Sequence, residues 1–289
     1  MREPAHPVVS YFALAYAISW AGALGVTWPY LSHGRPVPKM SGLMMFPVML
    51  LGPSIAGLIL TGILHGRDGL SKLRSRMTRI GKLPWLAAVA IPPVLVLTVL
   101  LGLRTLVSPV FAPNRFWIGF AFGCAAGFFE EIGWTGFAFP AMRRTQSALG
   151  ASVLLGLLWA VWHIPVIDFL GSATPHGPWW LPFLLAFTAA MTAMRVLICW
   201  VYSKTGSVLL AQLMHASSTG ALAAFGPAAV TAGQETLWYA VYALVFWALL
   251  GAAISSSFRT VFQFLLVPGV LSAFSICLSC SLVRPIPFG

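Results

Sequence analysis

Apolar runs of about twenty residues follow one another between residues 8 and 254, broken only by short polar turns. A hydrocarbon core ~30 Å thick is crossed by ~20 residues of α-helix. Lipid offers no partners to backbone N–H and C=O groups, so such runs must form helices that satisfy themselves. Charged residues make up 8% of the chain and its mean hydropathy is +0.88. A soluble domain carries about 25% charge, so this chain cannot cover itself with polar surface. The expected fold class is an all-α, polytopic membrane helix bundle of about eight transmembrane helices. The spans are expected over 8–30, 42–64, 84–107, 116–139, 151–170, 179–202, 207–225 and 237–254. They form one membrane domain over 1–257, followed by an apolar tail over 258–289 that is a further span or a surface segment. The first run is too long for a signal peptide and lacks a small-residue cleavage site, so it reads as a retained span.

The formal charge of +11 is a membrane signal here. Basic residues gather at the ends of apolar runs, where they meet anionic lipid headgroups; lipids are the expected partners, and nucleic acid is not. The segment 65–82 carries Arg67, Lys72, Arg74, Arg76, Arg79 and Lys82 against Asp68. With Leu70, Leu73, Met77 and Ile80 at helical spacing, it predicts a basic amphipathic helix on the membrane surface. This segment, Arg143/Arg144, Lys204 and Arg259 fall on one side of the bundle, and Arg35, Lys39 and Arg115 on the other. The positive-inside rule then puts the N-terminus in the cytoplasm, in what reads as a bacterial plasma membrane. Trp28, Trp117, Trp179, Trp180 and Trp238 sit near span ends, as an aromatic belt would. Cys124, Cys199, Cys277 and Cys280 read as buried free thiols. Gly123 and Gly127 read as a close helix contact.

The chain has six acidic residues, and two of them, Glu130 and Glu131, are adjacent inside an apolar run. A charge at the centre of a membrane helix costs roughly 2.5–3.5 kcal/mol on insertion scales, so such groups default to a functional role in a wet intramembrane polar cavity. His163 interrupts the fifth run and His215 the seventh. A carboxylate and two imidazoles can activate water in two ways. Glu130, His163 and His215 could hold Zn2+ or another divalent metal whose bound water attacks a carbonyl. Alternatively, a metal-free glutamate takes the proton of water while a histidine stabilises the oxyanion. Helical spacing puts Glu130 beside Trp134, Glu131 beside Thr135, Trp159 beside His163 and His215 beside Thr219. The two glutamates are ~100° apart on a helix, so one faces the catalytic space and the other makes structural hydrogen bonds. Asp168 reads as solvated at a span end, and His33, His65 and His176 as loop residues without a role. A proton-coupled transporter would use the same groups but predicts an internal repeat, and no repeat is evident.

Three segments carry a family resemblance: Glu130-Glu-Ile-Gly-Trp-Thr-Gly-Phe-Ala-Phe-Pro140, Trp159-Ala-Val-Trp-His163-Ile-Pro165 and Leu213-Met-His215-Ala-Ser-Ser-Thr219. In order and spacing, over about 116–225, they resemble the motifs of the CAAX-protease and bacteriocin-processing (CPBP, or Abi) intramembrane proteases, relatives of Ras-converting enzyme. The family pattern is Glu-Glu-x-x-x-Arg, then Phe-x-x-x-His, then His-x-x-x-Asn. The resemblance implies about eight spans, a cavity open to the cytoplasmic side, and hydrolysis of a peptide or protein substrate entering from the membrane or the cytoplasm. It implies Glu130 as water-activating base, Glu131 as its support, and His163 and His215 as groups that polarise water and stabilise the oxyanion. Prenylated CAAX proteins are the substrates of the eukaryotic relatives. Thr135 stands where the pattern has Arg, Thr219 where it has Asn, and Trp159 where it has Phe. The cation that the pattern expects beside a glutamate is therefore missing, unless Arg143, Arg144 or Arg195 reaches the site from elsewhere. A weakened family member acting as a binding or immunity scaffold is the alternative these departures raise.

Overall fold

The computed structural model describes residues 6–80 and 83–255. The expected apolar tail, with Cys277, Cys280 and Arg259, lies outside the described residues, as does Lys82. The chain divides into two compact units, Met1–Phe246 and Trp247–Gly289. Every site residue lies in the first; of the second, 247–255 are described, as helix.

Described residues form helices and turns, with no strand among them. In chain order the helices are α1 (Pro7–Leu31), α2 (Lys39–Leu43), α3 (Met45–Met49), α4 (Leu51–Thr78), α5 (Leu83–Leu86), α6 (Ile91–Leu106), α7 (Ile118–Gly133), α8 (Phe139–Met142), α9 (Ala148–Trp162), α10 (Trp180–Thr205), α11 (Val208–Phe225) and α12 (Ala232–Ser255). Six stretches among them are long and apolar enough to cross a membrane: Pro7–Leu31, Lys39–Thr78, Ala87–Leu106, Gly177–Thr205, Val208–Phe225 and Ala232–Ala253. The protein is an all-α polytopic membrane bundle. The other two expected spans are shorter. The helix α7 has 16 residues and continues through a π-helical turn, Trp134–Ala138, into α8. The helix α9 ends at Trp162, because Pro165 has no N–H to continue it and the chain tightens into a 3₁₀ segment, Ile164–Phe169.

Glycines set the packing that builds the site. Gly119, Gly123 and Gly127 lie on one face of α7. A Cβ on any of them would overlap the backbone of α11, at Ala223/Ala224, Ala216/Gly220 and Gln212/Ala216 respectively. The two helices therefore touch backbone to backbone, as the GxxxG spacing predicts. Gly156 of α9 meets Thr192 of α10 in the same way, with a Cβ position 2.8 Å from the threonine Cα. Side chains pin neighbouring carbonyls. Gln212 Nε2 donates to the Phe128 carbonyl at 3.0 Å, and the Ser54 hydroxyl of α4 donates to that of Phe129. These contacts hold the C-terminal end of α7 against α4 and α11, and α9 against α10.

Several expectations change. Of the basic segment, residues 65–78 form the second half of α4, bent at Gly66 (φ 59, ψ −154), a left-handed conformation that suits glycine. Its Leu73 is buried in a cluster with Ile132 and Val208, flanked by Met77 and Tyr202, so the segment is docked on the bundle. Trp28, Trp117 and Trp179 are exposed, as a belt requires, but Trp238 is 1% exposed and packs internally. Cys199 is buried, whereas Cys124 is exposed. His176 is not an idle loop residue. It is buried, stacks on Phe183 with ring centroids 3.9 Å apart, and lies 3.4 Å from Asp168 and 3.6 Å from Glu235. Glu235 accepts the backbone N–H groups of Ser172 and Ala173, so this cluster ties the loop before α10 to α12.

Candidate active site

The glutamates end α7 where the backbone widens. Gly133 follows them, and a Cβ there would overlap the Pro53 carbonyl and the Tyr11 hydroxyl. Only glycine lets α1 and α4 approach this turn so closely. The π-helical turn begins at the next residue, Trp134; such single turns are frequent at functional sites. Trp134 is fully buried, packed edge-on against Tyr11 and Trp162 and stacked on Phe12.

Both carboxylates are withdrawn from solvent: Glu130 is 2% exposed and Glu131 0%. Their partners differ. Glu130 Oε2 accepts two indole N–H groups, from Trp134 at 3.0 Å and Trp159 at 2.7 Å. Its Oε1 lies 4.0 Å from His215 Nε2, too far for a direct hydrogen bond. Glu131 is held on every side. It accepts from Thr135 Oγ1, from His215 Nδ1 at 2.7 Å, and from Arg195 Nη1, which lies 2.8 Å from both of its oxygens. Arg195 is itself 0% exposed, and its guanidinium sits 4.3 Å over the Trp159 ring. The cation absent at position 135 therefore arrives from α10, sixty-four residues along the chain. Arg143, by contrast, turns to the Gln146 carbonyl at an exposed end.

The imidazoles are oriented by what their Nδ1 atoms meet. His163 Nδ1 lies 2.8 Å from the Trp159 carbonyl. A carbonyl only accepts, so this nitrogen carries the hydrogen and Nε2 keeps its lone pair in the neutral ring. The His163 ring is packed edge-on against Trp159, Trp162 and Phe187. His215 Nδ1 faces the Glu131 carboxylate in the same way, which turns Nε2 toward Glu130. Trp159 links the two histidines: its ring centroid is 5.4 Å from His163 and 5.0 Å from His215. Thr219, half-buried one turn beyond His215, makes no side-chain hydrogen bond to a described residue. Among the described residues no group of three or more His, Cys, Asp or Glu is arranged to hold a metal ion. Glu130 keeps Oε1 outside its two indole bonds, and His163 and His215 each keep Nε2 outside the bonds made at Nδ1.

Residues 111–221 match the family described as Type II CAAX prenyl endopeptidase Rce1-like. This stretch holds Glu130, Glu131, Trp159, His163, Arg195, His215 and Thr219. The chain is related to the CPBP and Rce1-like family. It is also 27% identical to the CAAX prenyl protease 2 of Methanococcus maripaludis, over 72% of this chain and 79% of that protein. The Rce1-like segment begins at Phe111, just before α7, and ends inside α11. The helices that bear the polar groups are thus the related part.

Sequence reasoning placed Glu130, Glu131 and His215 in one site, and their side chains do meet. His163 joins them through Trp159. It left open which glutamate the missing cation serves and which of three arginines supplies it. It also gave no role to the Trp134 and Trp159 indoles as carboxylate donors. A helical i, i+4 pairing of Glu130 with Trp134 was the available signal for the first. Nothing in the sequence marked the second, because Trp159 stands on a different helix.

Proposed function

We propose that this Rce1-related chain is an intramembrane endopeptidase of the CAAX prenyl protease type, using Glu130 to activate water. The observation that carries the reading is the asymmetry between two adjacent buried carboxylates. Glu131 is saturated by a threonine, an imidazole and a guanidinium, and is therefore structural. Glu130 keeps one oxygen facing His215 Nε2 across 4.0 Å, a gap that a single bridging water can span. In this mechanism Glu130 takes a proton from that water, and the water oxygen attacks the scissile carbonyl carbon. His215, backed through Nδ1 by Glu131, stabilises the charge that develops. His163 Nε2 helps to hold the water. When the C–N bond breaks, the proton on Glu130 passes to the leaving nitrogen, giving a carboxylate and an amine. The Trp134 and Trp159 indoles fix Glu130 in one rotamer, which general-base geometry requires. The substrate is a prenylated CAAX-type peptide that reaches the site from the membrane or from the cytoplasmic side, where the basic loops also put the N-terminus.

The test is hydrolysis of a farnesylated CAAX peptide by purified protein in neutral detergent. Glu130→Gln keeps an oxygen for both indoles and removes the base. It is expected to lower kcat by about 10²–10⁴, the usual contribution of a positioned base, with an unchanged unfolding temperature. Cleavage that persists in both Glu130→Gln and His215→Ala would refute the assignment and leave the chain a binding scaffold.

A further inference from the structure

A cavity of about 710 Å³ lies outside the carboxylate site, between the second half of α4 and the turn leading into α8. Its α4 wall presents His65, Asp68, Lys72, Arg76 and Arg79, and its other wall ends in Arg144. These residues recur every three or four positions, so one face of the bent helix looks into the cavity. Four permanent cations face a single carboxylate. None of Lys72, Arg76, Arg79 and Arg144 forms an ion pair with a described residue, and Asp68 alone among the described lining residues opposes their charge. Arg76 is tied to neutral acceptors only, the Tyr202 hydroxyl at 2.7 Å and the Gly136 carbonyl at 2.9 Å. It is thereby held in place with its charge intact.

We propose that this cavity binds the phosphate of an anionic membrane lipid. Arginine forks and ammonium groups match phosphate oxygens, which fixes the ligand chemistry. Two observations favour a lipid over free phosphate as its source. Cavities of about 300–1,000 Å³ hold drug-sized molecules rather than a bare ion. The remaining wall is mostly apolar, with Leu64, Phe137 and Pro140 beside the cations and the hydroxyls of Thr61 and Ser75 among them, as a glycerol and the start of an acyl chain require. Basic pockets between membrane helices are where such headgroups settle. The bend at Gly66 makes the site, because it sets the basic half of α4 at an angle to its apolar half.

Full-length protein in neutral detergent is titrated with short-chain phosphatidylglycerol, short-chain phosphatidylcholine and inorganic phosphate, following binding by thermophoresis. Saturable binding of phosphatidylglycerol is expected, at least about tenfold tighter than of the other two. The triple variant Lys72→Gln/Arg79→Gln/Arg144→Gln is expected to lose at least about tenfold in that affinity. Its unfolding temperature without lipid should match wild type, because all three side chains are exposed. The control Lys39→Gln/Arg115→Gln removes exposed cations elsewhere and should bind normally. Equal binding of the two lipids, or an unaffected triple variant, overturns the site. Inorganic phosphate binding as tightly as phosphatidylglycerol overturns the lipid as its source.

Discussion

Arg195 and Glu131 form a buried ion pair whose removal has a calculable cost. Both side chains are 0% exposed, and Nη1 lies 2.8 Å from each carboxylate oxygen. Breaking such a pair by deleting one partner costs about 3–5 kcal/mol, because the other charge stays buried without a counterion. Arg195→Met fills much of the same volume and should lower stability by that amount. At roughly 2–4 °C per kcal/mol for a chain of this size, the unfolding midpoint falls by about 6–20 °C. Two second-site changes separate charge from packing. Glu131→Gln in the Arg195→Met background removes the stranded charge, keeps an acceptor for His215, and should restore most of the loss. Thr135→Arg in the same background returns a cation one helical turn from Glu131, in space vacated by the guanidinium. It should restore both the midpoint and peptide cleavage. Thr135→Arg alone crowds a fully buried position with a second cation and should destabilise. The assay is thermal unfolding in detergent, paired with cleavage of the farnesylated peptide. An Arg195→Met midpoint within a degree of wild type refutes the reasoning, as does a double variant with Thr135→Arg that is no better than Arg195→Met.

Trp159→Phe removes the 2.7 Å indole donor to Glu130 while retaining an aromatic face under Arg195. It should lower kcat about tenfold or more with little change in the unfolding midpoint, as steady-state kinetics beside thermal unfolding would register. Gly123→Leu drives a side chain into the α11 backbone. It should abolish folded, monodisperse protein on size-exclusion chromatography, whereas Gly102→Leu, at a position with open space around it, should be tolerated.

Much of this architecture was legible because lipid imposes it. Run length gave the long helices, and charges inside runs exposed Glu130, Glu131, His163 and His215. The rest depended on contacts across the chain. A lone Arg195 inside an apolar helix looks the same whether it snorkels to a headgroup or pairs with Glu131, since the deciding distance is set by how α10 packs on α7 and α9. His176 was unreadable for the same reason, because its neighbours Asp168 and Glu235 stand in separate segments. The early end of α9 was readable from Pro165. Its apolar continuation through Leu170 hid it, because hydropathy does not distinguish a 3₁₀ segment from an α-helix.

The widened turn at Trp134–Ala138 works as a register joint. A helix advances ~100° per residue, so the one-residue slack stored there sets the orientation of Phe137 and Pro140 independently of the glutamates upstream. Trimming a single residue from it beyond Thr135 would leave the Trp134 and Thr135 donors on Glu130 and Glu131 and swing the cavity wall about a quarter turn away from Arg76. The carboxylate site and the basic cavity can thus be altered separately, through one short stretch of backbone.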